Sequence, residues 1–379
     1  MFEKTKKFCD SFLDKGVPGF DLAVYKSGEC ILRYIRGYRD IENKIKMRGD
    51  ERYNIYSASK FITCTAALQL WEKGKFSLDD KLSAYMPEFE NMTVKTEDGG
   101  VRPAQNPILI KHLFEMTAGF NYDVASPQIL KCREETNGRC PTREVMKYLA
   151  KEPLSFEPGD RWAYSLCHDV LAALVEVITG EKFESYVKKN VFDVVGMTNS
   201  TFMLPENELD TITEQYIFRN NITEHINKKI QGYKLGTEFA SGGAGCISTV
   251  DDYVKFLEGI RTAKLLKPET VKLMTTDRLS EHQRRTYTKS DYGWGLGVRC
   301  HKENGKYIDY GWGGAACAYL AVDPVNEITV YFGCHLLGSP IQGMRSMIYN
   351  FINAELFDEK EFENIEKELK QLHNYNFTY

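Results

Sequence analysis

The chain has 379 residues and ten cysteines, yet it contains no Cys-x-x-Cys pair and no Cys/His cluster at zinc-ligand spacing. That excludes a ribbon-type zinc site and a thioredoxin-like motif, and no metal or cofactor is expected. The cysteines stand at 9, 30, 64, 132, 140, 167, 246, 300, 317 and 334, several of them on apolar stretches where a thiol is a small hydrophobe. Reduced, buried thiols are the expectation. Cys132 and Cys140 share one polar loop that a disulfide would close. No run approaches the roughly 20 apolar residues of a membrane span. Residues 1–10 hold no apolar stretch long enough for a signal peptide, so a cytoplasmic location is expected. Charge of neither sign dominates: 49 basic against 53 acidic residues leave −4, which offers no footprint for nucleic acid or a membrane surface. Internal repeats and low-complexity tracts are missing too. So is a Gly-x-Ser-x-Gly elbow, which removes the usual α/β-hydrolase arrangement.

What is present is ordinary for a globular protein, with 42% apolar and 27% charged residues. Leu22-Ala23-Val24-Tyr25 and Cys30-Ile31-Leu32-Arg33-Tyr34-Ile35 read as a hairpin around Lys26-Ser27-Gly28-Glu29. Trp294 to Val298 reads as a strand. Gly311 to Val322 and Glu327 to Cys334 read as a second hairpin turning at Asp323-Pro324-Val325-Asn326. Between these ends the pattern is helical. Short helices are predicted over 110–116 and 142–149. A strongly amphipathic one carries Leu166, Val170, Leu171, Leu174, Val175 and Ile178 and is closed by Gly180. Ser248-Thr249-Val250-Asp251-Asp252, with a capping hydroxyl and an acidic first turn, marks another helix start. Met344 to Leu356 reads as a closing helix. Strands at both ends with helices between them predict an α+β fold: an antiparallel sheet built from both termini, flanked by helices, with an inserted mainly helical subdomain. The expected organisation is one catalytic domain over 1–357, with an α/β part (1–75 plus 236–357), a helical part (76–235) and a charged tail over 358–379.

The segment with most chemistry is Tyr56-Ser57-Ala58-Ser59-Lys60, which opens an apparent amphipathic helix bearing Phe61, Ile62, Cys64, Ala67, Leu68 and Trp71. Residues three apart share a helix face, so Lys60 sits beside Ser57. A helix N-terminus favours developing negative charge. A serine hydroxyl needs a base, and a lysine whose pKa is lowered by burial or a neighbouring cation can serve. The spacing recurs at Ser185-Tyr186-Val187-Lys188, in a charged segment that reads as a solvated helix face. Two more segments complete a candidate site. Arg161-Trp162-Ala163-Tyr164-Ser165-Leu166 puts the Tyr164 phenol at a loop-to-helix junction. Gly311-Trp312-Gly313-Gly314-Ala315 opens a strand whose edge admits a ligand, and the Ala315 N–H can pair with that of Ser57 as an oxyanion hole. Taken alone, Tyr164 reads as a satisfied core tyrosine and Trp312 as packing.

Together these motifs make the chain similar to the serine β-lactamase and penicillin-binding protein superfamily, in the class C-like branch that includes family VIII carboxylesterases. The resemblance spans roughly 15–356 and is supported by Met116-Thr117-Ala118-Gly119, Phe156-Glu157-Pro158-Gly159, Gly242-Gly243 and Tyr292-Gly293-Trp294-Gly295-Leu296-Gly297. It implies Ser57 as acylated nucleophile, Lys60 as its helper and Tyr164 as general base. It also implies a substrate groove at Leu166, Trp312, Gly313 and Gly314. Leu166 stands where β-lactamases carry asparagine, and Trp312 where they carry a cation. Both changes favour a neutral ester over a carboxylate-bearing β-lactam. Arg345 on the closing helix is a candidate to restore a positive charge. His168 and Asp169 read as polar helix positions rather than triad members, and His112 as structural. The expected function is a serine hydrolase forming an acyl-enzyme on Ser57, a carboxylesterase on small neutral acyl esters, with a small-molecule ester or amide as its partner. The alternatives are a β-lactamase, DD-peptidase or D-aminopeptidase, an acyltransferase, or a catalytically silent binding scaffold.

Overall fold

The computed structural model describes residues 1–229, 233–287, 291–301 and 308–372. Eight strands form one antiparallel sheet: β1 (Gly19–Lys26), β2 (Glu29–Asp40), β3 (Ile45–Lys46), β4 (Tyr292–Trp294), β5 (Arg299–His301), β6 (Tyr310–Gly313), β7 (Tyr319–Asp323) and β8 (Ile328–Cys334). Their order is β4-β5-β6-β7-β8-β1-β2-β3. The first strand pairs with the last, from Phe20 opposite Cys334 to Lys26 opposite Ile328. The sheet is therefore assembled from both ends of the chain, as the strand signals predict, and the fold is α+β.

Alternation along β8 shows how the two faces are covered. Ile328, Val330, Phe332 and Cys334 face a cluster with Phe8, Phe12, Phe20 and Ile348. Helices α1 (Glu3–Leu13), α5 (Met347–Phe357) and α6 (Phe362–Leu372) supply that side, with Phe8 stacked on Phe351 at 4.5 Å. Phe362 and Ile365 of α6 are buried in the same cluster. Tyr331 points the other way and stacks at 4.4 Å on Tyr253 of α4 (Val250–Arg261). Behind α4 lie α2 (Ser59–Glu72) and α3 (Cys167–Thr179). The Thr249 hydroxyl accepts from the Asp252 N–H at 3.2 Å, and Gly180 ends α3 at φ 70°. The helix over Thr142–Leu149 also forms where the pattern predicts it.

Four local expectations change. Helix α2 is not amphipathic in place: every residue from Ser59 to Leu70 is buried. Its polar members do not form a solvent face but bond to surrounding loops. Ser59 Oγ accepts from Cys246 N at 2.9 Å, Thr63 Oγ1 donates to Gly242 O at 2.7 Å, and Gln69 Nε2 donates to Asn190 O at 3.0 Å. The expected strand over Trp294 to Val298 stops at Trp294. The chain then turns, with Gly295 N donating to Val298 O at 2.9 Å. Gly297 sits at φ +88°, and a Cβ there would come within 2.1 Å of Cys64 Sγ. The stretch from Gly311 to Val322 is two strands, because Gly314 N bonds to Ala318 O and folds the chain back. The closing helix begins at Met347, which leaves Arg345 in the preceding turn. All ten cysteines are free, Cys132 and Cys140 included, and Cys30 alone is exposed. Among the described residues no helix is long and apolar enough to cross a membrane.

Candidate active site

Ser57 lies in a single 3-10 turn, Tyr56–Ala58, that runs straight into α2. The turn is sharp because Tyr56 has φ +48°, a left-handed conformation that costs a non-glycine residue on the order of 1–3 kcal/mol. Packing holds it there. The Tyr56 hydroxyl donates to Gln215 Oε1 at 3.3 Å, and its ring meets Tyr233 edge-on at 5.1 Å. The serine beside it stays half-buried.

Lys60 has no solvent exposure. Its Nζ donates to Gly243 O at 2.7 Å and to Tyr122 OH at 3.3 Å, and lies 3.5 Å from Ser57 Oγ. The Tyr164 ring centre is 4.5 Å away. Burial pushes the amine down, but the negative poles of Tyr122, Tyr164 and Asp169 outweigh it and hold the amine above the ordinary lysine range. Lys60 is thus an ammonium. A lysine acting as base would need its amine held below that range, and the groups around Lys60 act in the opposite direction.

Asp169, read from sequence as a polar helix position, faces this cluster. Its Oδ1 accepts from Ser241 Oγ at 2.6 Å and from Gly243 N at 3.2 Å. A Cβ on Gly243 would lie 2.5 Å from Asp169 Oδ2 and 3.3 Å from Lys60 Nζ, so that position has no room for a side chain. His168 turns away, with its Nε2 3.5 Å from Cys64 Sγ. Burial, aided by Lys60, pushes it down to about 3, and it is neutral. His112 accepts from Leu109 N through Nδ1 at 3.2 Å, a structural contact.

The opposite wall is aromatic. Tyr164 and Tyr122 stack with ring centres 5.4 Å apart and planes 3° from parallel. Trp312 lies 5.7 Å from Tyr164, and its indole N–H is 3.4 Å from the Tyr164 oxygen. Trp294 meets Trp312 edge-on at 4.7 Å, and Trp162 closes the row 5.7 Å from Trp294. Burial pushes Tyr122 up to about 12 against the pull of Lys60, so it is a neutral phenol. Sequence reasoning missed Tyr122. Its only signal is an aromatic three residues after the Thr117-Ala118-Gly119 turn.

The Gly313-Gly314 edge packs on the serine turn, since a Cβ on Gly314 would come within 2.3 Å of Ile55 O. Ala315 is half-buried. Arg345 Nη1 donates to Gly314 O at 2.7 Å, and a Cβ on Gly313 would meet Arg345 Nη2 at 2.6 Å. The guanidinium therefore stands against this glycine edge. Leu166 is buried at 4% exposure, and its N–H donates to Asn121 O at 3.0 Å. Ser57, Lys60, Tyr164, Trp312 and Tyr122 come together directly. Arg345 reaches the site through Gly314, and Leu166 joins the core beside it. Among the described residues no cluster of three or more His, Cys, Asp or Glu is arranged to hold a metal ion.

Comparison with known proteins agrees with this architecture. The family model described as Beta-lactamase matches residues 5–340. An uncharacterised protein of Mycobacterium tuberculosis is 30% identical over 266 residues, covering 66% of this chain and 65% of its own length. The chain thus spans slightly under two thirds of that relative. Esterase EstB of Burkholderia gladioli is 28% identical over 313 residues, 76% of each chain. The lovastatin esterase of Penicillium rubens is 31% identical over 242 residues, 61% of this chain and 60% of its own. Among solved structures, EstCE1, titled a hydrolase with promiscuous acyltransferase activity, superimposes with a TM-score of 0.74. It is 24% identical, covering 91% of this chain and 98% of its own. A penicillin-binding protein from Bacillus halodurans does so at 0.67 and 20% identity, covering 91% and 99%.

Proposed function

The chain belongs to the Beta-lactamase family, and from that premise we propose that it is a serine hydrolase that forms an acyl-enzyme on Ser57 and prefers small neutral acyl esters. The observation that carries the proposal is the buried Lys60 ammonium, 3.5 Å from Ser57 Oγ and bounded by two stacked phenols. In the proposed reaction Tyr164 is the base. The Trp312 N–H stands 3.4 Å from its oxygen, and the Lys60 amine lies 4.5 Å from its ring centre. Tyr164 takes the Ser57 proton as Oγ adds to the ester carbonyl. The Ser57 and Ala315 N–H groups receive the oxyanion. The carbonyl re-forms, the alcohol leaves with the proton returned by Tyr164, and water then repeats the cycle on the acyl-enzyme. Tyr122 holds Lys60 in place.

Two features support an ester. Leu166 offers no amide for a substrate peptide group, and Trp312 offers an aromatic face and one N–H where a carboxylate would want a cation. The esterase names of two relatives point the same way. A third relative, the acyltransferase calJ of Penicillium decumbens, leaves an alcohol open as an acceptor in place of water. The test compares p-nitrophenyl butyrate with nitrocefin, while intact mass follows fluorophosphonate labelling of Ser57. Faster nitrocefin turnover overturns the ester preference, and a folded protein that takes no label overturns the hydrolase in favour of a scaffold. One observation favours a second reading: the Arg345 guanidinium on Gly314 brings a cation to the groove, as a β-lactamase, DD-peptidase or D-aminopeptidase would use. Turnover of a D-Ala-D-Ala peptide that vanishes in Arg345→Ala would select it.

A further inference from the structure

We infer that Asp169 is a positioning residue of the Ser57 site: it clamps Gly243, the residue whose carbonyl holds the Lys60 ammonium, and it is the buried counter-charge to that ammonium. The kinetic half of this inference rests on the proposed Ser57 chemistry; the electrostatic half stands on geometry.

Three observations converge. First, Gly243 is gripped on both sides of its Cα. Its N–H donates to Asp169 Oδ1 at 3.2 Å, and its carbonyl accepts from Lys60 Nζ at 2.7 Å. Displacing the carboxylate therefore displaces the acceptor that aims the amine at Ser57. Second, Asp169 is 2% exposed and its Oδ2 has no hydrogen-bond partner. An unpartnered carboxylate oxygen out of water is tolerated where a cation stands close by. A Cβ on Gly243 would lie 2.5 Å from that oxygen and 3.3 Å from Lys60 Nζ, so the bare glycine leaves the two facing each other, and the attraction of Lys60 opposes the upward push of burial on the carboxyl. Third, the other groups around the pair supply no charge that replaces it. On α2 the neighbour is Cys64, pushed well above the ordinary thiol range by burial. On α3 they are Cys167, pushed up to about 11 by burial, and the neutral His168. From the loops come the phenols Tyr122 and Tyr164, and the 241–243 segment presents a hydroxyl and peptide groups. Among these neighbours Asp169 is the one carboxylate.

The consequence has a definite sign. Removing a buried negative charge favours the less positive form of every neighbour. Lys60 then loses its proton at lower pH. The experiment uses full-length protein carrying 13Cε-lysine, with the Lys60 signal assigned by its loss in Lys60→Arg. In wild type the signal stays that of an ammonium above the ordinary lysine range of about 10.4. In Asp169→Asn its titration moves down by about one pH unit or more. The limb of the kcat/KM profile for p-nitrophenyl butyrate that Lys60 sets moves down with it, and kcat/KM at pH 7 falls about 10- to 100-fold. Ser241→Ala removes the shorter bond to Oδ1 but keeps the charge, so it leaves the Lys60 titration in place. Asp169→Glu restores the titration toward wild type.

An Asp169→Asn protein whose Lys60 titrates as in wild type overturns the inference, and so does a Ser241→Ala shift of equal size. Should Asp169→Asn not fold, wild type still decides: Lys60 ionising below the ordinary lysine range sinks the idea. A Lys60 shift in a protein that hydrolyses no ester keeps the inference and removes the Ser57 chemistry instead.

Discussion

Ser57 and Lys60 open α2, where the lysine is out of solvent and its amine meets Ser57, Tyr122 and Gly243. Ser185 and Lys188 have the same spacing on the molecular surface. There Ser185 is exposed, and the Lys188 side chain, 67% exposed, pairs with Asp193 at 2.7 Å. Both pairs satisfy helix geometry. They differ in what lies around the amine. An exposed pair such as Lys188–Asp193 contributes about 0.2–1 kcal/mol and is screened by salt. A buried amine keeps its charge only if the surrounding groups replace water, which here means two phenols, a carbonyl and a carboxylate. Spacing brings two side chains to one face; burial turns that face into a site.

The comparison can be broken most directly at the two serines. Ser57→Ala is expected to lower ester turnover about 10⁴-fold or more, with Ser185→Ala unchanged. Initial rates with p-nitrophenyl butyrate decide it, and equal losses would erase the distinction. The lysines come next. Lys60→Met should lower kcat/KM about 10³-fold, and Lys188→Met should leave it within about twofold. A thermal melt of each variant separates lost chemistry from lost fold.

Buried polar groups should also make the protein acid-sensitive. His112 is buried, and that pushes it down to about 4, below its unfolded value of about 6.5. Between those values the unfolded chain binds the proton and the native one does not. The contribution of His112 is therefore full above about 6.5 and is lost as pH falls through about 4, at no more than about 1.4 kcal/mol per pH unit. Urea unfolding of His112→Gln should show a shallower decline over that window, and an unchanged slope contradicts the assignment. The smallest effect is expected at the aromatic wall. Trp312→Phe keeps the ring face but deletes the N–H near the Tyr164 oxygen, for about a 2- to 10-fold loss in kcat. A loss as large as that of Lys60→Met would mean the wall does more than tune the phenol.

Local signals carried much of the fold. The hairpin at Ser27-Gly28, the helix at Thr142–Leu149, the Thr249 cap and the Gly180 stop each follow from a few adjacent residues. Where sequence reasoning went astray, a distant partner was responsible. Helix α2 reads as amphipathic until the loops that bond Ser59, Thr63 and Gln69 arrive from residues 190–246. The turn after Trp294 depends on Cys64 lying against Gly297. Asp169 reads as a polar helix position because nothing near it in the chain announces Ser241 or Gly243, more than seventy residues on. Tyr122 is silent for the same reason.

The order of amino acids settled the N-terminal hairpin, the helices at 142–149 and 167–179, which ends of the chain pair, and that a serine and a lysine share one face, because periodicity, caps and turns act over a few residues. It did not settle the charge on that lysine or the aromatic wall beside it. Those depend on desolvation and on Coulomb forces between groups brought together from residues 60, 122, 164, 169, 243 and 312, and such forces follow distance in space rather than separation along the chain.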